Sequence, residues 1–176
     1  LLDLTHIKSA ADLGRYVLDQ GDIRLLALLI SMGIPLDYDQ TPFLVLAIDK
    51  GNTNTFAALL AKGASVNTQD SHGRSPLRAA IDNNDMKLAA DLMALGADPN
   101  AKDIKLVAPL HVAADKDNLE LANMLIDHGA RIDTLDAKMR TPYDYARASR
   151  AGSKVAGYMD ARSATNQQNK PLETEK

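Results

Sequence analysis

Residues 75–103 of the chain read SPLRAAIDNNDMKLAADLMALGADPNAKD. The Ser–Pro pair at the start is typical of a helix N-terminus, because the serine oxygen can accept a free backbone N–H and proline needs no N–H at the first helical position. After the polar break DNND, apolar side chains recur at helical spacing at Leu88, Leu92 and Met93. Gly96 can end this second helix in a left-handed conformation, and the polar residues after it are typical of turns. The stretch therefore predicts two short helices and a protruding hairpin.

The same pattern recurs along the chain with a period of 33 residues. The glycines that end the second helices and the prolines that begin the first helices keep this step: Gly63, Gly96 and Gly129, and Pro76, Pro109 and Pro142. We expect the pairs Thr41–Pro42 and Thr141–Pro142 to begin helices as Ser75–Pro76 does. A fixed period of this length indicates a repeat architecture, and the low aromatic content of 4% fits closely packed helices better than strands. We predict an all-α repeat solenoid.

The motifs T/S-P-L-x-x-A and L-[LMI]-x-x-G-A, within one 33-residue unit, resemble the ankyrin repeat. They stand in this chain as SPLRAA…LMALGADPNAKD and APLHVAA…LIDHGARID, and the resemblance extends from about Ser9 to Arg162. It implies stacked helix–turn–helix units with projecting β-hairpin loops. It also implies a rigid, non-catalytic surface that binds proteins through the hairpin tips and the concave face of the helices.

The resemblance divides the chain into one ankyrin-repeat domain, residues 1–162, and a polar tail, residues 163–176, that we expect to be disordered. The expected units are an N-terminal cap repeat, three internal repeats and a C-terminal cap repeat: 1–38, 39–69, 70–102, 103–135 and 136–162. The first hairpin, IPLDYDQ, is four residues shorter than the next one. The last unit has a weak second helix that contains Gly157, as expected of a terminal repeat with a wetter outer face.

Composition excludes several classes of protein. The 176 residues are 45% hydrophobic and 24% charged, as in ordinary soluble domains, and no apolar run reaches the length of about 20 residues that a membrane span needs. The net charge of −3 offers no basic face for nucleic acid. The absence of cysteine rules out disulfides and thiolate metal sites. The chain begins at Leu1 rather than methionine, the pattern of a fragment or of a protein that has lost a targeting segment; cytoplasm and bacterial periplasm both stay open.

The sequence carries no pattern of catalysis. The four histidines lie in different repeats without metal-ligand spacing, and there is no phosphate-binding loop or nucleophile elbow: His6, His72, His111 and His128. We therefore expect no catalytic, cofactor or metal site. His111 fills the place of the family's TPLH histidine, and the resemblance implies that it hydrogen-bonds the backbone of the neighbouring loop.

A row of aspartates recurs near the end of each first helix: Asp19, Asp49, Asp82 and Asp115. In stacked repeats these carboxylates would lie about 10 Å apart. One interpretation is that they solvate the inter-helix turns; the other is an acidic stripe for Lys or Arg of a partner, diluted by neighbouring lysines. The candidate groove residues are Asp49, Lys50, Asp82, Asn83, Asp115 and Lys116.

The hairpin tips differ from one repeat to the next. Tip 1 (residues 71–74) keeps a turn glycine, whereas tip 2 (104–107) reads IKLV and tip 3 (137–140) reads AKMR. Ala108 also replaces the expected Ser or Thr N-cap, a loss of about 1 kcal/mol. The apolar residues of tip 2 are candidates for a partner contact; the alternative is that Ile104 or Val107 folds back onto the adjacent hairpin. The candidate tip residues are His72, Arg74, Ile104, Lys105, Leu106, Val107, Lys138, Met139 and Arg140.

The resemblance implies a monomeric protein-interaction module whose partner is another protein. Small bacterial members of the family include immunity proteins that neutralise secreted toxins, phospholipase effectors among them, and this is the sharper expectation. The alternative is a structural or regulatory scaffold, host-directed or part of a larger protein.

Overall fold

The computed structural model of the protein describes residues 12, 16, 17, 20, 24, 25, 28, 37, 38, 41–149 and 152–168. The chain forms two compact units, Leu1–Ile104 and Lys105–Lys176. The described positions from 12 to 28 are helical, but most of the cap repeat expected over 1–38, Asp19 included, lies outside the described residues. The single-domain assignment and its repeat boundaries stay predictions.

Helix pairs make up the described part of both units. In the first unit the described residues from 37 onward form a two-stranded hairpin and four helices: β1 Asp37–Tyr38, β2 Thr41–Pro42, α1 Phe43–Asp49, α2 Thr53–Ala61, α3 Pro76–Asp82 and α4 Met86–Ala94. The second unit contains four more: α5 Pro109–Asp115, α6 Leu119–Asp127, α7 Pro142–Ser149 and α8 Lys154–Gln168. From α3 to α6, a seven-residue helix and a nine-residue helix recur at the 33-residue period. The predicted repeat solenoid of helix pairs is confirmed.

Polar side chains in the breaks start the second helix of each pair. Asn52, Asp85 and Asn118 each accept the backbone N–H of the residue three positions later, at 2.9–3.0 Å. Such N-caps contribute about 1 kcal/mol each. The polar breaks that separate the helices in the sequence are therefore also their caps.

The start of α1 differs from the prediction. Ser75 caps α3 as expected, its Oγ accepting the N–H of Arg78 at 3.2 Å. Thr41–Pro42 was expected to play the same part but forms β2, in which Pro42 lies opposite Asp37 in an antiparallel pair. The shortened first hairpin draws these two residues into strand pairing, so α1 begins at Phe43 without a side-chain cap.

Leucine and alanine fill the core of each unit. In the first unit Phe43, Leu44 and Leu59 are buried together with Val17. In the second, the fully buried leucines are Leu110, Leu121 and Leu125. Alanines such as Ala113 place only a methyl group between the backbones, which permits the close packing that the low aromatic content predicted.

The projecting hairpins are tight turns rather than strand ladders. Within the described residues, strand pairing is confined to β1 and β2. The turn of tip 1 is closed by two backbone hydrogen bonds, from the N–H of Asp70 to the carbonyl of Arg74 at 3.1 Å and from the N–H of Gly73 to the carbonyl of Asp70 at 2.8 Å. The turn of tip 3 has the equivalent bonds, from Asp136 to Arg140 and from Met139 to Asp136, both at 3.0 Å. The expected β-hairpins therefore lack regular strands at these positions, because an aspartate side chain takes up N–H groups that a ladder would use.

The last helix is longer than expected. We expected a weak second helix and a tail from residue 163, but α8 continues to Gln168 and is fifteen residues long. Its start is held from the preceding repeat, where Asp117 Oδ1 accepts the Ser153 hydroxyl at 2.6 Å and the Val155 N–H at 3.2 Å. Residues 169–176 lie outside the described part.

Gly73 is a position where both the backbone and the packing disfavour a side chain. Its φ is +73°, and a Cβ there would lie 2.8 Å from Asp103 Cα and 2.9 Å from Ile104 N. Gly73→Ala is expected to lower the free energy of unfolding by about 2–3 kcal/mol, from left-handed strain plus displacement of that backbone. Urea denaturation measures this loss.

Gly96→Ala is the matched control. Gly96 has a φ of +88°, but a Cβ at this residue would meet no other atom within 4 Å, so only the strain of about 1–2 kcal/mol applies. Equal losses for the two substitutions would contradict the close approach of residues 103–104 to tip 1.

Candidate functional site

An aspartate precedes each tip, and at tips 1 and 3 it organises the turn, a feature that sequence reasoning missed. Asp70 Oδ1 accepts the N–H groups of His72 at 2.9 Å and Arg74 at 2.8 Å. Asp70, Asp103 and Asp136 recur at the 33-residue period, which is the signal that could have revealed them. The carboxylate fixes the turn before any partner is present.

Asp136, before tip 3, has the densest set of partners. Its side chain is only 3% exposed and accepts the N–H groups of Lys138 and Arg140, the Arg140 guanidinium at 2.8 Å and the Tyr145 hydroxyl at 2.8 Å. Burial alone would raise the pKa of Asp136, but these hydrogen bonds, those from Arg140 above all, outweigh it and hold the pKa well below its usual range. Burial and the bond to Asp136 raise the pKa of Tyr145. The charge of Arg140 is therefore matched at the base of tip 3.

His111 plays the structural part that the resemblance implied. Its Nδ1 accepts the N–H of Ala108 at 3.1 Å, so the ring proton is on Nε2, which donates to the Arg140 carbonyl at 3.1 Å. Tyr145 packs edge-on, with ring centroids 5.1 Å apart. This bond satisfies the backbone N–H of Ala108, the N-cap residue whose own side chain cannot cap the helix. The prediction for His111 is confirmed.

Burial of His111 makes stability depend on pH. Desolvation lowers the pKa of this histidine below its ordinary value of 6.5, so the fold holds the neutral ring while the unfolded chain takes up a proton at about pH 6.5. The stability contributed by the neutral ring is complete above that pH and is lost as the pH falls below it, by up to about 1.4 kcal/mol per pH unit. Urea denaturation between about pH 7.5 and pH 5.5 should show this loss in the native chain and a smaller one in His111→Gln. The same slope in both would assign the effect to other groups.

Two apolar residues at the tips adopt the backbone conformation of the glycine they replace. Gly73 has a φ of +73°, and Leu106 and Met139, at the same place in the next two repeats, each have a φ of +59°. Left-handed backbone costs a residue with a Cβ roughly 1–2 kcal/mol. The sequence showed the loss of glycine but not the retention of its conformation.

The side chains of these residues face solvent. Ile104 is 65% exposed, Leu106 46% and Met139 72%. The alternative that Ile104 folds back onto a neighbouring hairpin is wrong on this exposure, whereas Val107 is half-buried and fits it. His72, Lys105, Lys138 and Arg140 are exposed as well. The tips thus present apolar and cationic side chains together.

Backbone hydrogen bonds tie each tip to its neighbour. In the first unit the N–H of Ile104 donates to the His72 carbonyl at 3.0 Å. In the second unit the N–H of Ala137 donates to the Lys105 carbonyl at 2.9 Å. These bonds hold the tips in fixed places, so little order has to be gained on binding.

The groove aspartates are not equivalent. Asp49, Asp82 and Asp115 are the last residues of α1, α3 and α5, as the sequence predicted. Asp49 forms an ion pair with the half-buried Arg74, and Asp82 accepts from Arg78 Nε at 2.9 Å.

Asp115 differs from the other two aspartates. Its side chain has no hydrogen bond or ion pair within the described residues and acts on Arg140 only at longer range. Arg140, which corresponds to Arg74, is held instead by Asp136 and lies over the Tyr145 ring, 4.4 Å from its centroid. Asp115 is the groove carboxylate whose charge is least compensated.

The remaining groove residues are Asn83 and the two lysines, Lys50 and Lys116. Asn83 is exposed, but its Nδ2 donates to the Ile48 carbonyl at 3.1 Å, a bond between neighbouring repeats of the first unit. Lys50 and Lys116 are exposed beside their aspartates. Asn83 therefore links neighbouring repeats through its side chain.

Two kinds of feature are absent from the described part of the structure. Within those residues, no group of three histidine or carboxylate side chains is placed to hold a metal ion. None of the helices there combines the length and the hydropathy that crossing a membrane would require. A surface depression of about 920 Å³ includes Arg131 in its lining, and this arginine pairs with Asp133 at 3.2 Å.

Comparison with protein families covers most of the chain. A family profile of ankyrin repeats in three copies matches residues 13–103, and a profile of ankyrin repeats in many copies matches residues 92–146. The search of curated proteins gave no match. The matched residues include the three tips and the helix ends that carry the groove aspartates.

Proposed function

This chain belongs to the ankyrin-repeat family, whose repeats are protein–protein interaction modules, and we propose from that premise that its tips and groove bind one protein partner without catalysis. The proposed contact residues are His72, Arg74, Ile104, Lys105, Leu106, Val107, Lys138, Met139 and Arg140 at the tips, and Asp49, Lys50, Asp82, Asn83, Asp115 and Lys116 in the groove. The chain acts as a monomer.

One observation carries the proposal: Leu106 and Met139 are exposed at left-handed backbone positions. The strain costs roughly 1–2 kcal/mol at each tip, and glycine, present in tip 1, would remove it. An exposed apolar side chain gives little in return within the isolated chain, whereas its burial by a partner contributes roughly 1.5–3 kcal/mol. Binding accounts for side chains that stability does not favour.

Partner capture tests the proposal. The native chain, immobilised, is used to capture its partner, and the double variant Ile104→Ser, Leu106→Ser is compared with Leu95→Ser. Leu95 is 55% exposed at the end of α4, away from the tips, so its loss removes a similar apolar side chain without touching the proposed surface. The tip variant should lose the partner that the native chain and Leu95→Ser retain. Retention by all three would contradict binding through tip 2.

The groove contributes charge complementarity through Asp115. Asp115→Asn should weaken partner binding several-fold and reduce its dependence on salt, with little change in stability, because this carboxylate lacks an ion pair within the described residues. Asp49→Asn is the comparison, since it breaks the bond to Arg74 and should cost about 0.2–1 kcal/mol of stability. Unchanged affinity in Asp115→Asn would mean that the aspartates only solvate the inter-helix turns.

The sharper form of the proposal is an immunity protein that inhibits a cognate secreted toxin, such as a phospholipase. The alternative is a structural or regulatory scaffold. An inhibitor abolishes the activity of its captured partner at equal molar amounts, whereas a scaffold leaves it active. Enzyme assays of the captured partner with and without the chain distinguish the two.

A further inference from the structure

We propose that the two tips of the second unit recognise an extended, acidic segment of the partner, in which a carboxylate and an apolar side chain recur at every third residue. This inference rests on the proposed function and names the chemistry of the partner. It concerns four residues, Lys105, Leu106, Lys138 and Met139, called the tip pair below.

The charges of the tip pair point to an acidic occupant. Lys105 and Lys138 are both exposed and each directly precedes an exposed apolar residue. Arg140 adds no net charge, because its guanidinium is bound to Asp136 at 2.8 Å. The tip pair therefore carries two positive charges in a chain whose net charge is −3. Opposite charges on the partner would steer it to this end of the unit.

The spacing of the tip pair sets the period of the segment. Lys105 and Lys138 occupy the same place in successive repeats, as do Leu106 and Met139, and the bond from Ala137 N to the Lys105 carbonyl, 2.9 Å, holds the two tips side by side. Neighbouring repeats stack at about 10 Å, the helix-to-helix distance. A chain in the extended polyproline-II conformation advances about 3.1 Å per residue with three residues per turn, so residues three positions apart lie on one face and span the two tips.

The same chemistry would attract an anionic membrane, but the tip pair fits a peptide better. Each lysine near an anionic bilayer contributes about 1 kcal/mol, so two lysines and two apolar side chains give weak attachment. The left-handed residues Leu106 and Met139 are instead held in place by turns that Asp136 and the inter-tip hydrogen bond fix. A preformed surface favours a partner whose own groups are spaced to match it.

Binding of a defined peptide tests the inference. The probe is a fluorescein-labelled peptide of four Leu-Glu-Ser repeats, measured by fluorescence anisotropy against the full native chain. Three control peptides replace glutamate by lysine, replace leucine by serine, or keep the composition and break the three-residue step. The native chain should bind the probe about tenfold or more tightly than each control.

Charge reversal on the protein gives the matched test. The double variant Lys105→Glu, Lys138→Glu should lose the probe and prefer the peptide of Leu-Lys-Ser repeats. Equal binding of probe and controls by the native chain, or an unchanged preference in the variant, would overturn the inference. So would sedimentation of the native chain with vesicles of phosphatidylserine and phosphatidylcholine in the absence of peptide binding.

The outcome is separable from that of the proposed function. If partner capture depends on the tips while the probe does not bind, protein binding stands and the acidic segment is wrong. If capture is indifferent to the tip substitutions, the proposed function is wrong whatever the peptide does.

Discussion

Replacing Asp136 by alanine is expected to lower the melting temperature by roughly 10 °C, the largest single-residue loss of stability that we expect in the second unit. The substitution removes a buried carboxylate that accepts hydrogen bonds from two backbone N–H groups, from Arg140 and from Tyr145. It leaves the guanidinium of Arg140 without its anion and the turn of tip 3 without its acceptor. Thermal unfolding followed by far-ultraviolet circular dichroism measures the loss.

Two substitutions control this measurement. Asp133→Ala removes an exposed aspartate from the same stretch of chain, paired with Arg131 at the surface, and should change the melting temperature by roughly a degree or two. Asp136→Asn keeps one acceptor oxygen without the charge and should fall between the two alanine variants. If Asp136→Ala and Asp133→Ala have the same melting temperature, the carboxylate of Asp136 does not organise tip 3.

The repeat, and the glycines and prolines that bound its helices, could be predicted from the sequence because these signals are local and periodic. Glycine and proline at a 33-residue step fixed the order of helices, and the hydrogen bonds of His111 followed from its place in the repeat. Local signals failed where one repeat was irregular. Thr41–Pro42 has the helix-start pattern, yet the shortened hairpin pairs it with Asp37–Tyr38.

The candidate site was less predictable, since it depends on contacts between residues far apart in the chain. Asp49 is compensated by Arg74, twenty-five residues later, and Arg140 lies the same distance after Asp115. The sequence shows this step, but not that Asp136 and Tyr145 hold Arg140 and leave Asp115 without an ion pair in the described part of the chain. The aspartates that look equivalent in the sequence therefore differ in how far their charges are compensated.

The left-handed backbone at Leu106 and Met139 ran against local preference as well. Neither residue type favours a positive φ, and their alignment with Gly73 is the one clue in the sequence. The turn at Met139 is set by Asp136, and backbone hydrogen bonds to the neighbouring tip hold both turns. The residue at its apex was thus free to change at a cost in stability.

The double variant Leu106→Gly, Met139→Gly is expected to be more stable than the native chain and to bind its partner about 100-fold more weakly. Glycine relieves the left-handed strain at both tips, a gain of about 1 kcal/mol in the free energy of unfolding after the greater flexibility of the unfolded chain is counted. It also removes two exposed apolar side chains. If each contributes about 1.4 kcal/mol at the interface, binding weakens about tenfold for each.

Leu95→Gly is the control for this pair. Leu95 is also exposed, but its φ is −83°, so glycine relieves no strain there. This variant should be no more stable than the native chain and should keep full affinity for the partner. A rise in stability for Leu95→Gly would mean that loss of surface leucine, rather than relief of strain, explains the effect at the tips.

The most direct test of the central claim, that the tips carry strained apolar residues for the sake of a partner, is to measure stability and partner affinity on the same Leu106→Gly, Met139→Gly protein. Urea denaturation and calorimetric titration with the captured partner give the two quantities. We predict that the free energy of unfolding rises while the affinity falls. A variant that keeps native affinity, or that loses stability together with affinity, would contradict the claim.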